Sequence, residues 1–188
     1  MIELEVLVEV YSSYEQALHS LSQLKLKRED LTEDIYYYDP LRPKLQPENN
    51  KLNASFRLRN RKGESYITYK DDHFSGDKWI YSDEFEIQIS DFNIAREIIN
   101  RLGLKELVIL KNLKRVYLYE DYEVVLEKVD NLGVFLEVEL KKSINEKEVY
   151  AEKNNINNFI ESLGINCSSE LNCGKPELFI RKHGKTNS

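Results

Sequence analysis

Period-two alternation, a count of about eight short strands, and helical stretches set between them predict an α+β protein built on an antiparallel barrel or sandwich. The alternation is clearest over 2–10. There Leu4, Val6, Val8 and Val10 share one face, while Glu3, Glu5, Leu7 and Glu9 share the other. Further strands are predicted near 34–39, 54–61, 64–71, 79–89, 107–119, 121–128 and 134–141.

Helices are predicted between them. Residues 12–26 open with Ser12-x-x-Glu15, a capping-box pattern, and space Ala17, Leu18, Leu21 and Leu24 at helical intervals. Residues 91–102 carry Ile94, Ile98, Ile99 and Leu102 ahead of Gly103, and 146–163 carry Val149, Ile156, Phe159, Ile160 and Leu163 ahead of Gly164. Residues 40–53 hold three of the four prolines and read as a long exposed loop, with a second loop at 71–78. The chain of 188 residues is long enough for one sizeable core, so a single domain over 1–182 and a disordered tail at 183–188 are expected.

A net charge of −6 argues against broad nucleic-acid binding, which requires a basic surface. No apolar run approaches the roughly 20 residues that cross a bilayer, and the acidic N-terminus reads as a strand instead of a secretory signal. A cytoplasmic protein with no membrane partner is expected. Cys167 and Cys173 then read as free thiols, and the scattered His19, His73 and His183 lack zinc-ligand spacing.

The informative pattern is the sign of the charges that share a strand face. Glu3, Glu5 and Glu9 are acidic, as are Glu84 with Glu86 and Glu137 with Glu139, whereas Arg57, Arg59 and Arg61 are all basic. Same-face neighbours stand about 6–7 Å apart, where like charges repel unless an opposite charge or ion intervenes. A solvated face ordinarily mixes signs. Sorting by strand suits a polar barrel interior in which carboxylates hold a hard divalent cation and arginine forks hold a polyanion.

These residues resemble the CYTH (triphosphate tunnel) family over about 1–165. Glu3-Leu4-Glu5 is similar to its opening E-x-E-x-K strand, Tyr37-Tyr38-Asp39-Pro40 to its tyrosine strand, and Phe56-Arg57-Leu58-Arg59 to its L-R-x-R strand. Thr68-Tyr69-Lys70 is similar to T-Y-K-G, with Asp71 at the glycine; Glu84-Phe85-Glu86 to the next E-x-E; and 111–117 to a basic strand ending in tyrosine. Most specific is 126–139, LEKVDNLGVFLEVE, which resembles the cyclase-like branch at Leu126, Val129, Leu132, Gly133, Phe135, Glu137 and Glu139.

The resemblance implies an antiparallel eight-stranded closed β-barrel with flanking helices, acting on a nucleoside or organic triphosphate with Mg²⁺ or Mn²⁺. Glu3, Glu5, Glu137 and Glu139 become the metal candidates, with Glu84, Glu86 and Glu127 as lesser ones. Arg57, Arg59, Lys70, Lys78, Lys111, Lys114 and Arg115 become the phosphate-binding set, and Glu5, Glu137 and Lys111 the catalytic residues. The leading reaction is that of a class IV adenylyl cyclase, ATP to cyclic AMP and pyrophosphate. A thiamine or inorganic triphosphatase and a non-catalytic binding tunnel are the alternatives, and the oligomeric state stays open, a homodimer included. Two departures bear on activity: Leu7 stands at the family lysine, and Ser82 near a frequent arginine.

Overall fold

The strand β1 (Ile2–Glu9) is the hinge of the architecture, because it is where the sheet closes on itself. In this computed structural model, which describes residues 2–184, eight antiparallel strands form a closed barrel in the spatial order β1-β5-β4-β3-β2-β6-β7-β8. The chain runs β1, α1 (Tyr14–Ser20), β2 (Lys25–Tyr38), β3 (Ala54–Arg61), β4 (Glu64–Ser75), β5 (Lys78–Ile89), α2 (Phe92–Arg101), β6 (Lys105–Tyr119), β7 (Tyr122–Val129), β8 (Gly133–Leu140), α3 (Val149–Ser162) and α4 (Lys175–His183). Residues 185–188, most of the expected tail, lie outside the described residues. His183 is the last residue of α4.

The alternation of β1 sorts its two faces as expected. Leu4, Val6, Val8 and Val10 turn outward and are buried against Ala17 and Leu21 at α1 and against Val149, Ile156 and Ile160 of α3. Full burial of each such aliphatic side chain stabilises by roughly 1.5–3 kcal/mol, and this shell clamps the helices to the barrel. Glu3, Glu5 and Leu7 turn inward.

Several element limits differ from the expectation, each for a local reason. The helix α1 is shorter than 12–26 and is capped by Ser13 with Gln16, not Ser12 with Glu15. Its chain turns after Ser20, and Lys25 pairs with Leu118 of β6, so the strand expected at 34–39 begins at residue 25. The segment 71–78 is no loop. Strands β4 and β5 continue pairing as far as Ser75↔Lys78, with Gly76 at the tip in the left-handed region, φ +61.

One end of the barrel is completed by the C-terminal segment. Among the described residues the β1–β5 ladder pairs only Ile2↔Asp83 and Glu3↔Ser82. Beyond Glu3 the strand is met by residues 167–171 instead: Leu171 N–H donates to Leu7 O (3.0 Å) and Ser168 N–H to Glu9 O (2.8 Å). Lys153 of α3 fastens this segment, pairing with Glu170 at 2.7 Å and donating to Trp79 O. The helix α4 follows, and its Ile180 packs among Leu7, Tyr36, Leu110, Val129 and Phe135. The barrel interior is therefore apolar at this end and charged along the rest. Among the described residues, no helix is long and apolar enough to cross a membrane.

Candidate active site

The barrel encloses a cavity of about 520 Å³. Strand order makes it electrostatically two-sided. β5, β1 and β8 are neighbours, so Glu84 and Glu86, Glu3 and Glu5, and Glu137 and Glu139 form one continuous acidic wall. The ladder sets Glu5 opposite Glu139 and Leu7 opposite Glu137. Across the interior, β3 contributes Arg57, Arg59 and Arg61, and β6 contributes Lys114. Sign sorting along the sequence thus becomes sign sorting in space.

The two walls are not separate. Lys70 of β4 reaches the acidic side, its Nζ 2.5 Å from Glu3, 3.2 Å from Glu84 and 3.7 Å from Glu5. Arg59 grips Asp34 through Nε and Nη2, both at 2.6 Å, a two-pronged pair between adjacent strands. Burial opposes ionisation of Asp34, but Arg59 outweighs it and holds the carboxyl well below its ordinary value. Arg57 donates to Thr68 Oγ1 (3.0 Å) and stands 3.5 Å from Glu86. Its Nε is buried without an acceptor among the described residues.

The acidic wall carries strain of its own. Burial, followed by the neighbouring Glu137, pushes the Glu5 carboxyl up to about 7. Burial likewise raises Glu3 well above its usual value. Glu137 goes the other way: burial opposes its charge, yet Lys175, Lys114 and Lys70 hold it far down. Glu139 pairs with Lys141 at 2.7 Å. Among the described residues no three His, Cys, Asp or Glu side chains converge on one point. The four glutamates are drawn aside by lysines: Glu3 and, at 3.7 Å, Glu5 by Lys70, Glu137 by Lys175 and Glu139 by Lys141. The donor set itself is all carboxylate oxygen on two adjacent strands, which suits a hard divalent cation.

The structure therefore brings together Glu3, Glu5, Glu137, Glu139, Arg57, Arg59, Lys70 and Lys114 in one cavity. It does not bring in Lys111, Arg115 or Lys78. Inward positions on β6 are even-numbered, as Asn112, Lys114 and Val116 show, so Lys111 and Arg115 must point outward. The Lys111 side chain is 64% exposed and lies 3.5 Å from Glu33, and Arg115 pairs with Glu29. Lys78 is exposed beside the β4–β5 tip. Strand parity sets Lys111 and Arg115 outside the cavity, and exposure at the β4–β5 tip sets Lys78 outside it, apart from the phosphate set and, for Lys111, the catalytic role expected of them.

Among the tunnel groups that escaped the sequence reading are Lys175, Asp34 and Asp30. Lys175, from the first turn of α4, lies with its Nζ 2.6 Å from Glu127. Asp34 and Asp30, on the inward face of β2, were missed because the strand was read only from 34, with 27–33 assigned to no element, which left the alternation on which both acids fall unrecognised. The even-numbered run Arg28, Asp30, Thr32, Asp34, Tyr36 was the available signal. Ser82 is fully buried, accepting from Trp79 Nε1 (3.1 Å) and donating to Asp72 (2.6 Å).

The CYTH domain model matches residues 1–165. The chain belongs to the CYTH domain family. A protein of Methanocaldococcus jannaschii, provisionally named an adenylate cyclase, is 30% identical over 159 residues, covering 81% of this chain and 85% of that protein. The structure of the PH1819 protein from Pyrococcus horikoshii superposes with a TM-score of 0.80 at 23% identity, covering 95% of this chain and 99% of that one. A provisionally named adenylyl cyclase from Hippeastrum, described as having a dominant triphosphatase activity, superposes with a TM-score of 0.65 at 16% identity over 100% of this chain and 98% of its own. At those identities the two solved structures speak for the shared CYTH fold. The segment that carries Lys175 lies beyond the matched residues.

Proposed function

We propose that this CYTH protein is a metal-dependent enzyme acting on a nucleoside or organic triphosphate, with the class IV adenylyl cyclase reaction as the leading reading. The supporting observation is the two-sided cavity, with the glutamates of β5, β1 and β8 on one wall and the arginines of β3 facing them. Mg²⁺ or Mn²⁺ on Glu3, Glu5, Glu137 and Glu139 would neutralise phosphate charge and favour attack at phosphorus.

The chain's own groups do the rest. Arg57, with a buried Nε lacking an acceptor, is placed to take a phosphate oxygen. Arg59 keeps Nε and Nη2 on Asp34, which fixes the guanidinium plane and leaves its remaining donors for the ligand. Lys114 lies 3.3 Å from Glu127 and adds charge beside the arginines, where negative charge develops on the leaving group. In the cyclase reading the ribose 3′-oxygen attacks the α-phosphorus and pyrophosphate leaves. The relative from Methanocaldococcus jannaschii, by its name, favours that reading.

A second reading is a triphosphatase, in which water attacks the terminal phosphorus and orthophosphate leaves. The activity described for the Hippeastrum protein favours it, and the same cradle serves both. The test is product analysis after incubation with ATP, thiamine triphosphate or tripolyphosphate and Mg²⁺ or Mn²⁺, beside a Glu137→Ala/Glu139→Ala control. Cyclic AMP with pyrophosphate supports the cyclase, and orthophosphate release supports the triphosphatase. No product from any of the three overturns the enzymatic reading.

A further inference from the structure

We infer that the edge of β5 over residues 85–89 is an interaction surface, which pairs with the same edge of a second copy of this chain across a two-fold axis at Ile87. The inference is independent of the triphosphate reading and stands or falls without it.

The barrel closes on β5 over a short stretch. β5 pairs with β4 as far as Ser65↔Ile89, but on its other side β1 meets it, among the described residues, at Ile2↔Asp83 and Glu3↔Ser82 alone. From Phe85 to Ile89 the strand therefore has one ladder and one bare edge among the described residues. Such an edge presents a row of backbone N–H and C=O groups to any strand that can approach, and natural edges are usually blunted by lysine, proline or a bulge. The run Phe85-Glu86-Ile87-Gln88-Ile89 has no lysine and no proline, and the β4–β5 irregularity lies elsewhere, between His73 and Phe74.

The side chains also suit an interface. Glu84 and Glu86 line the cavity, so Phe85 and Ile87 point outward, where they are 62% and 64% exposed. Their ladder partners Tyr69 and Ile67 of β4 carry the apolar surface on toward α2, whose Ala95 and Ile99 pack with Leu58 of β3. On the far flank of α2, Arg96 reaches Glu106 of β6. Ile94 and Ile98, each two residues and about 200° round the helix from Arg96, are exposed on the flank toward β4 and β5. Phe85, Ile87, Ile94 and Ile98 together leave about 400 Å² of apolar side chain in water, a patch of the size that marks binding surfaces.

Self-complementarity points to the occupant. A two-fold axis at Ile87 sets Ile87 against its own copy and Phe85 against Ile89 on the outer face. On the inner face it sets Glu86 against Gln88 of the second copy, a carboxylate facing an amide donor. An axis at Glu86 would set that carboxylate against itself. One at Phe85 would oppose Glu84 to Glu86, and one at Gln88 would oppose Phe85 to Asp91. The length fits as well. Ile2 occupies the edge at Asp83, and the incoming strand leaves it there, turning into α2 at its N-cap Asp91. Phe85 of each copy then lies beside the start of the other's α2. Both bare edges are used, so assembly stops at two. One short strand and a few apolar side chains per copy make a small interface, and a dissociation constant of about 1–100 µM is expected.

The test is sedimentation velocity of the full chain from about 1 µM to about 300 µM. A monomer–dimer equilibrium is expected. Ile87→Lys, which sets two ammonium groups at the axis, should weaken it at least about tenfold, while Leu31→Lys, at a similarly exposed position of β2, should leave it unchanged. Both changes are on the surface and spare the core. In Ile87→Cys the two thiols face each other within disulfide reach, so mild oxidation should yield an 87–87 cross-link, whereas Phe85→Cys, opposite Ile89, should yield little. A dimer that Ile87→Lys leaves intact, or an Ile87→Cys chain that cross-links no better than Phe85→Cys, overturns the inference. So does a chain that stays monomeric over the whole range, which would leave the edge for a strand from another protein.

Discussion

Glu5 and Glu139 stand opposite each other in the β1–β8 ladder, two inward carboxylates at one level of a closed barrel. Neither pairs with the other, and each leans on a lysine, Glu5 toward Lys70 at 3.7 Å and Glu139 on Lys141 at 2.7 Å. Much of what the tunnel does follows from that crowding.

The first consequence is a pH dependence. Burial and Glu137 raise the Glu5 carboxyl to about 7 in the folded chain, above its ordinary value near 4.5. A raised carboxyl contributes stability below the unfolded value and loses it as pH rises through the folded one. In metal-free buffer the melting temperature should therefore fall between pH 5 and 7.5 by more in the wild type than in Glu5→Gln. Mg²⁺ should recover more of the loss at pH 7.5 than at pH 5.5, where a proton competes. Identical melting profiles for both chains would contradict this.

Lys114 gives a pH dependence on the ligand side. Burial, followed by the nearby Arg59, lowers its ammonium to about 8. A neutral amine attracts phosphate less, so tripolyphosphate affinity should decline as pH rises from 7 to 9, and Lys114→Gln should flatten the decline. Affinity that holds level across that range in the wild type would speak against Lys114 as a phosphate contact.

Strand parity and exposure together predict a division among the basic residues. Arg57→Ala should weaken triphosphate binding about 10- to 100-fold, the usual cost of one charged contact. Lys111→Ala, Arg115→Ala and Lys78→Ala, which remove charges from the outer surface, should change it by less than about twofold, since exposed charges contribute little. Comparable losses from all four variants would mean the inward and outward assignments are wrong.

The Arg59–Asp34 pair should matter to the fold as well as the ligand. Replacing Arg59 by Met leaves Asp34, buried at 2% exposure, without its main counter-charge. Breaking a buried pair in this way costs about 3–5 kcal/mol, whereas Arg59→Met with Asp34→Leu should cost much less. Chemical denaturation of both variants checks the difference.

How much was legible in the sequence follows from the same parity. In β1 and β8 the alternation is unbroken, so the faces of Glu3, Glu5, Glu137 and Glu139 could be read directly, as could the arginines of β3. In β6 the run Lys111-Asn112-Leu113-Lys114-Arg115 mixes inward and outward bases, and only the register with β2 and β7 separates them. The predicted helix overran the true end at Ser20 because Leu21 and Leu24 continue its spacing, and β2 was shortened mainly because 27–33 was assigned to no element. Lys175 was hidden for a different reason: its place in the tunnel is set by α4 docking on residues far away in sequence, Leu52 and Leu7 among them. Local patterns carry no trace of such contacts, and α4 itself was not among the predicted helices, although Pro176 and Glu177 stand in its first turn.

The central claim is that this cavity holds a triphosphate and a divalent cation together. Calorimetric titration of tripolyphosphate into the wild-type chain, once with Mg²⁺ and once with EDTA, tests it most directly. The account predicts saturable one-site binding that is much tighter with Mg²⁺ and is lost in Glu137→Ala/Glu139→Ala. Binding of equal strength in EDTA, or no binding in either buffer, would contradict it.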